Sequence, residues 1–284
     1  MRLQGRRRST NVDDRRGRAP TRRGLQLGGG GLLLVVVIAL LTGQNPLELL
    51  SLLGSPQVSL EPGGTTGAAP LDPLENAQAV MISQVLADTE ETWEGLFAER
   101  GARYEYPTLV LFDDAVQSAC GFNSAAVGPF YCPADQRLYI DLGFFRELDR
   151  RFQAPGDFAQ AYVVAHEVGH HVQNLLGVSD ELLRERRRVG RQSANALSVQ
   201  LELQADCLAG VWGHHAANRR GLLEEGDVEE GLAAAAAIGD DALQRQAGGV
   251  VRPESWTHGS SAQRVEWFRR GLREGRPEAC DTFG

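Results

Sequence analysis

The pattern of apolar and polar positions predicts a mostly helical domain with a small sheet near its start. Apolar residues recur at helical spacing through residues 75–100, and residues 108–112 form an apolar run typical of a strand. Residues 130–141 predict a hairpin around Pro133. Further helices are predicted at residues 144–152, 158–176, 193–216, 225–246 and 260–273.

Two of these helices carry very few charges. Residues 158–176 contain one formally charged residue, Glu167, and residues 192–218 contain only Glu202 and Asp206. Helices this apolar are typically buried, and a buried carboxylate or imidazole is costly unless it has a polar partner. The polar residues of these two helices are therefore the candidates for a functional site.

The first of these helices contains an H-E-x-x-H pattern, His166-Glu167-Val168-Gly169-His170. Residues i and i+4 lie one turn apart on one helix face, so both imidazoles can reach one metal ion. Catalytic zinc takes three protein ligands and keeps a position for water. Glu167 lies beside that position and can accept a proton. His171 points about 100° away from the ligand face, so we interpret it as a packing or exposed residue.

The second helix offers the third ligand. Glu202 and Asp206 lie four residues apart and share a face. We assign Glu202 to the metal and Asp206 to orienting a ligand histidine or pairing with an arginine. A set of two histidines and one glutamate favours zinc. His214 and His215 are rival third ligands, and a buried ion pair without metal is the alternative interpretation of the two carboxylates.

H-E-x-x-H followed about 30 residues later by Glu202-Leu203-Gln204-Ala205-Asp206 resembles the Glu-zincins. More closely, the chain is similar to the bacterial family described as "putative neutral zinc metallopeptidase", the YpfJ-like membrane proteins. The similar stretches are residues 1–7, 11–17, 128–133, 166–173, 201–210 and 280–283. The resemblance implies an α+β, zincin-like domain, mostly helical with a small sheet before the active-site helix, and a zinc-dependent peptidase activity.

A later stretch is similar to the wider group of Glu-zincin membrane proteases, namely His258 followed six residues later by Arg264. The resemblance implies that His258 stabilises the oxyanion and that Arg264 pairs with Asp206. Gly259 here replaces the proline that usually follows this histidine. A surface histidine in a loop before a helix is therefore the alternative interpretation of His258.

Composition narrows the classes of function. All 29 basic residues are arginine, which excludes P-loop, protein-kinase and Schiff-base chemistry because each requires a lysine. Residues 1–23 hold nine arginines and two aspartates, whereas residues 24–284 carry a net charge of −15. An acidic body repels phosphates, so we expect no nucleic-acid partner.

The N-terminal part predicts membrane attachment. Residues 24–47 contain no charged side chain, and a stretch of this length can span a bilayer. Arginines on one flank place the N-terminus in the cytoplasm and the body outside a bacterial membrane. Residues 1–23 are predicted to form a basic, disordered cytoplasmic tail, and residues 24–43 a single-pass anchor. A linker rich in proline and glycine follows at residues 44–73, and the metallopeptidase domain at residues 74–284. A cleaved signal peptide is the alternative to the anchor.

Four cysteines agree with an oxidising, extracytoplasmic location. Cys120 and Cys132 flank a short loop rich in turn residues and form the first predicted disulfide. Cys207 and Cys280 then form the second, which fastens the C-terminal tail near the active site. The alternative is a set of free, buried thiols.

The sequence thus predicts a membrane-anchored, zinc-dependent endopeptidase with Glu167 as general base, acting on peptides or unfolded proteins. Residues 139–141 are the candidate edge strand for pairing with an extended substrate. The alternative is a catalytically silent, membrane-anchored binding or assembly factor on the same zincin scaffold. The intact Glu167 argues against that alternative, because a scaffold does not need a general base.

Overall fold

The computed structural model describes residues 1–17, 73–125 and 128–283. In these residues the chain forms six strands and eight α-helices, so the architecture is α+β and mostly helical, as predicted. The strands are β1 (Val12–Asp14), β2 (Thr108–Phe112), β3 (Ala115–Ser118), β4 (Gly121–Ser124), β5 (Phe130–Cys132) and β6 (Arg137–Asp141). The helices are α1 (Pro73–Ala98), α2 (Gly143–Arg150), α3 (Asp157–Leu175), α4 (Val178–Arg186), α5 (Arg191–Asn218), α6 (Asp227–Ala237), α7 (Asp240–Gln246) and α8 (Ser261–Glu274).

The larger sheet has the strand order β1-β2-β6-β5. β1, β2 and β6 run parallel, and β5 is antiparallel to β6 as the predicted hairpin requires. The prediction that residues 139–141 form an edge strand is wrong, because β6 lies between β2 and β5. Among the described residues, the edge strands of this sheet are β1 and β5. The sequence predicted the hairpin but not which of its strands pairs with β2, since that pairing joins segments distant along the chain.

Both faces of the larger sheet are buried. Alternate residues of a strand point to opposite faces, so Leu109 and Leu111 of β2 join the main core with α1, α3 and α5. Val110 and Phe112 join a second, smaller core that includes Val116 of β3. α3 therefore lies against a sheet that is fixed on both sides.

Residues 1–17 differ from the disordered tail that their composition predicts. β1 pairs with β2, and Glu90 of α1 accepts hydrogen bonds from Arg7, Ser9 and Asn11. Arginine-rich segments are usually solvated, but here the basic and polar groups of the segment meet carboxylates of the domain. The tail prediction is therefore wrong for these residues.

The predicted anchor at residues 24–43 lies outside the described residues, as does nearly all of the predicted linker at residues 44–73. Among the residues that the structure describes, no helix combines the length and apolar character needed to cross a membrane. Membrane attachment stays a prediction.

Glycines let the helices that carry the site approach closely. A Cβ atom added to Gly169 of α3 would lie 2.9 Å from the carbonyl oxygen of Ala205 in α5. A Cβ atom added to Gly271 of α8 would overlap the carbonyl oxygen of Cys207 in α5. Because no side chain separates these backbones, short polar side chains on α3, α5 and α8 can reach one another.

Two other features refine the predicted elements. The helix predicted at residues 225–246 is two helices, α6 and α7, separated at Gly239, where an added Cβ atom would overlap the backbone of Ser261. The two predicted disulfides are present, Cys120–Cys132 between the β3–β4 turn and β5, and Cys207–Cys280 between α5 and the C-terminal tail.

Candidate metal centre

The three predicted ligands meet where α3 crosses α5. One donor atom from each of His166, His170 and Glu202 lies within 4.8 Å of the other two. Glu202 Oε2 lies 3.2 Å from His166 Nε2, and Glu202 Oε1 lies 3.6 Å from His170 Nε2. The helical repeat places the two histidines one turn apart, and the close contact at Gly169 brings Glu202 to them.

The orientation of both rings fits a zinc ion. His166 Nδ1 lies 2.9 Å from Asp206 Oδ1, and His170 Nδ1 lies 2.8 Å from Gln173 Oε1. Each of these oxygens accepts a hydrogen bond, so each Nδ1 carries a hydrogen and each Nε2 is left to face Glu202. Two imidazoles and one carboxylate are a ligand set of catalytic zinc.

The three candidate ligands lie close enough together to shift one another's pKa values. Burial lowers the pKa of His166, but Asp206 and Glu202 outweigh it and raise that pKa to about 9. Burial raises the pKa of Glu202, but His170 and His166 outweigh it and hold that pKa well below its usual range. A metal ion that binds these residues therefore displaces a proton, so its affinity depends on pH.

His166 is held by a buried, charged network. Asp206 is fully buried and accepts hydrogen bonds from Arg264 Nε at 2.8 Å and Arg264 Nη2 at 2.9 Å. The Tyr162 hydroxyl donates to Asp206 Oδ1 at 2.5 Å. The structure thus contains the Arg264–Asp206 pair that the resemblance implied. Tyr162 was not predicted as a site residue, although its position one turn before His166 on the same face was a usable signal.

Glu167 lies beside the ligands in a groove with a volume of about 1180 Å³. Its side chain is buried, and burial raises its pKa although His170 and His166 oppose that shift. A raised pKa suits a group that accepts and returns a proton near neutral pH. Phe130 and Tyr131 of the edge strand β5 line the same groove.

His258 lines this groove with a half-exposed side chain. Its Nδ1 atom lies 3.3 Å from Asp240 Oδ1, and this carboxylate is the main cause of the raised pKa of His258. The structure places His258 within reach of a groove ligand, and its described side-chain hydrogen bonds are to Thr257 and Asp240 and not to the three candidate ligands.

The other histidines are engaged elsewhere. His214 and His215 contact the carbonyl oxygens of Leu272 and Gly275, and so lie outside the ligand cluster. His171 is buried and contacts the Glu105 carbonyl oxygen and the Tyr131 hydroxyl, consistent with a packing residue.

A family model described as "Putative neutral zinc metallopeptidase" matches residues 1–283. The chain belongs to this family. YpfJ of Escherichia coli (strain K12) is 46% identical over 289 residues, which cover 100% of this chain and 99% of YpfJ. Rv2575 of Mycobacterium tuberculosis (strain ATCC 25618 / H37Rv) is 40% identical over 254 residues, which cover 80% of this chain and 84% of the relative. No solved structure matches the chain. The family resemblance predicted from the motifs is confirmed.

Proposed function

We propose that this protein is a zinc-dependent endopeptidase. The observation that carries the proposal is the juxtaposition of His166, His170 and Glu202 beside Glu167 in one groove. Family membership supports it, because the family is described as a zinc metallopeptidase family. The proposal includes a zincin-like arrangement, with a sheet before the active-site helix and the third ligand on a later helix.

The residues of the site have distinct roles in this proposal. Zinc held by the three ligands supplies Lewis-acid polarisation of a carbonyl group and lowers the pKa of water. Glu167 accepts the proton of the attacking water and returns it to the leaving amine nitrogen. His258 donates a hydrogen bond to the carbonyl oxygen as negative charge develops there. Asp206 and Arg264 hold His166 in the orientation that binding requires.

The substrate we propose is an extended peptide or an unfolded protein segment. The groove is larger than about 1,000 Å³, the upper range of typical small-molecule pockets. The edge strand β5 borders it through Phe130 and Tyr131. An extended chain can add to a strand edge through main-chain hydrogen bonds, which require no particular substrate sequence.

We also propose that the domain works in an oxidising, extracytoplasmic compartment. The two disulfides support this location, because disulfides persist outside the reducing cytosol. Attachment to a membrane through residues 24–43 is part of the same proposal and rests on the apolar character of that stretch.

The test is cleavage of a mixture of unfolded proteins by the oxidised, zinc-loaded full chain, beside Glu167→Gln. We expect new peptide termini from the wild type, and a rate lower by about 10²–10⁴-fold from the variant, since a general base contributes that much. Zinc content is measured in both proteins. Equal cleavage rates in the two proteins would show that Glu167 is not the general base. No cleavage by either at one zinc per chain favours the binding or assembly factor instead.

A further inference from the structure

Gln173 connects the second histidine to the helix of the third ligand. It is fully buried on α3, three residues after His170. Its Oε1 atom lies 2.8 Å from His170 Nδ1. Its Nε2 atom donates to the Leu201 carbonyl oxygen at 2.7 Å and to Gln204 Oε1 at 3.0 Å. The side-chain oxygen and nitrogen of Gln173 therefore both have partners.

These contacts fix the orientation of the amide. The Leu201 carbonyl oxygen can only accept a hydrogen bond, so the amide nitrogen of Gln173 must face it. The amide oxygen then faces His170, which requires a hydrogen on Nδ1 of that ring. Nε2 of His170 is left for the metal. A backbone carbonyl on α5 thus sets the tautomer of a histidine on α3.

We infer that Gln173 is a positioning residue that holds His170 ready to bind zinc. The inference rests on the proposed metal site and concerns the ring that Asp206 and Arg264 do not contact. Because Leu201 directly precedes Glu202, the same amide also ties the ring of His170 to the backbone beside the third ligand.

The connection continues to the C-terminal tail. Gln204 Nε2 donates to the Cys280 carbonyl oxygen at 3.1 Å, and Cys280 is joined to Cys207 of α5 by a disulfide. The Thr282 hydroxyl donates to the Gln200 carbonyl oxygen at 2.7 Å. The tail therefore holds Gln204 in the orientation that accepts from Gln173, and supports His170 through two amides.

The first test is the zinc dissociation constant of Gln173→Met, measured by competition with a chelator at fixed pH. Methionine has a similar length but makes none of the three contacts. We expect the dissociation constant to rise by about 10–100-fold, the usual effect of losing the partner of a ligand histidine. Gln173→Glu keeps an accepting oxygen for His170 but places a second oxygen against the Leu201 carbonyl oxygen and Gln204 Oε1. We therefore expect its zinc affinity to stay below that of the wild type.

A matched control separates positioning from general stability. Gln84 is also largely buried, and its Nε2 atom donates to the carbonyl oxygens of Leu3 and Arg6 away from the site. We expect Gln84→Met to lower the unfolding midpoint and to leave the zinc dissociation constant unchanged. If Gln173→Met does not fold, Gln173→Asn keeps the amide but is too short to span the contacts, and gives the same readout.

Unchanged zinc affinity in Gln173→Met, or an equal loss in Gln84→Met, overturns the inference. Because the readout is zinc binding, it is distinguishable from failure of the proposed function. A chain that binds zinc in a Gln173-dependent way and cleaves nothing keeps the positioning role and loses the peptidase proposal.

The N-terminal segment, residues 1–17, is bound to the domain by strand pairing and by hydrogen bonds to α1. Val12 to Asp14 pair with β2, and the largely buried Gln84 donates to the carbonyl oxygens of Leu3 and Arg6. Glu90 is 1% exposed and takes its hydrogen bonds from residues 7, 9 and 11. The polar groups of the segment therefore supply the partners that this buried carboxylate needs in the folded domain.

We propose that residues 1–17 occupy the same compartment as the domain at residues 73–283. A strand within a sheet cannot lie across a membrane from the rest of that sheet. This differs from the predicted arrangement, in which the N-terminus is cytoplasmic and the domain is extracytoplasmic. The proposal holds whether or not residues 24–43 enter a membrane.

The test uses the full chain in intact cells and a membrane-impermeant maleimide. Thr10→Cys reports on the segment and Ser193→Cys reports on the domain, and both positions are exposed. The four native cysteines are in disulfides and give a low background. We expect both reporters to react alike, before and after the cells are permeabilised. Reaction of one before permeabilisation and of the other only afterwards overturns the proposal.

Discussion

The two histidines of the metal centre lie one turn apart on one helix but are held by different chemistry. His166 is oriented by charged groups, Asp206 and Arg264, with the Tyr162 hydroxyl. His170 is oriented by two neutral amides, those of Gln173 and Gln204. The charged network comes from α5 and α8, and the amide network ends at the C-terminal tail. The candidate metal site thus depends on two different networks, both of which include residues of α5.

The difference has energetic consequences. A buried ion pair that loses one partner leaves an uncompensated charge, whereas an amide that loses a partner leaves an unsatisfied dipole. We therefore expect damage to the charged network to affect folding first, and damage to the amide network to affect mainly the affinity for metal. Three changes test this difference, and a fourth concerns His258, which lies outside both networks.

The largest effect is expected from Arg264→Leu. It leaves Asp206 buried without its main counter-charge, which costs about 3–5 kcal/mol of unfolding free energy. Denaturant unfolding of the metal-free protein measures it. Arg269 is exposed on the same helix, so Arg269→Leu is the control and should change stability by less than about 0.5 kcal/mol. Similar losses in both variants contradict the prediction.

Removal of each disulfide compares a bond that belongs to the amide network with a bond that does not. Replacing Cys207 and Cys280 by serine opens a connection between residues 73 apart, with an expected loss of about 2–5 kcal/mol. Zinc affinity should also fall, because Cys280 holds Gln204. Replacing Cys120 and Cys132 by serine is the control and should lower stability without weakening zinc binding. Equal zinc affinity in the two double variants would argue against a role for the tail.

Tyr162→Phe removes one hydroxyl from the charged network. The hydroxyl donates to a buried carboxylate, and such a bond contributes about 1.5–3 kcal/mol. We expect that loss in the unfolding free energy, together with weaker zinc binding, since Asp206 is then less firmly placed against His166. A variant that loses stability and keeps its zinc affinity would limit Tyr162 to a structural role.

The smallest effect concerns His258, which neither network contacts. Its pKa is raised mainly by Asp240 against the opposing effect of burial, with Glu202 raising and Arg264 lowering it. Its pairing with Asp240 therefore stabilises the fold fully below pH about 6.5 and is lost as pH rises through the folded-state pKa. In Asp240→Asn we expect the pKa of His258 to fall, measured by NMR titration. Asparagine keeps one oxygen for the backbone N–H groups that Asp240 accepts from. An unchanged pKa refutes this pairing.

The sequence predicted the ligands because their spacing is local. Helical periodicity places His166 and His170 on one face of α3. It also places Glu202 and Asp206 on one face of α5, whatever surrounds those helices. The low charge of both helices indicated burial, and burial indicated partners. The same local reasoning found the strand at residues 108–112 and the hairpin around Pro133.

Several features that join distant segments could not be predicted from the spacing along the chain. The edge position of β5, the pairing of β1 with β2 and the break at Gly239 each depend on contacts between residues far apart along the chain. The partners of Tyr162 and Gln173 belong to the same class, because a hydrogen bond between two helices has no signature in the spacing along either one.

The sequence alone therefore determined which side chains are the candidates for the chemistry and which helices hold them. Only the tertiary structure decided how they are oriented. The approach of α3, α5 and α8 at Gly169 and Gly271 lets a carboxylate hold one ring and an amide hold the other. The physical reason is the distance along the chain over which each effect acts. The helical repeat acts over one turn, whereas the orientation of each imidazole depends on groups 3 to 98 residues away in the chain.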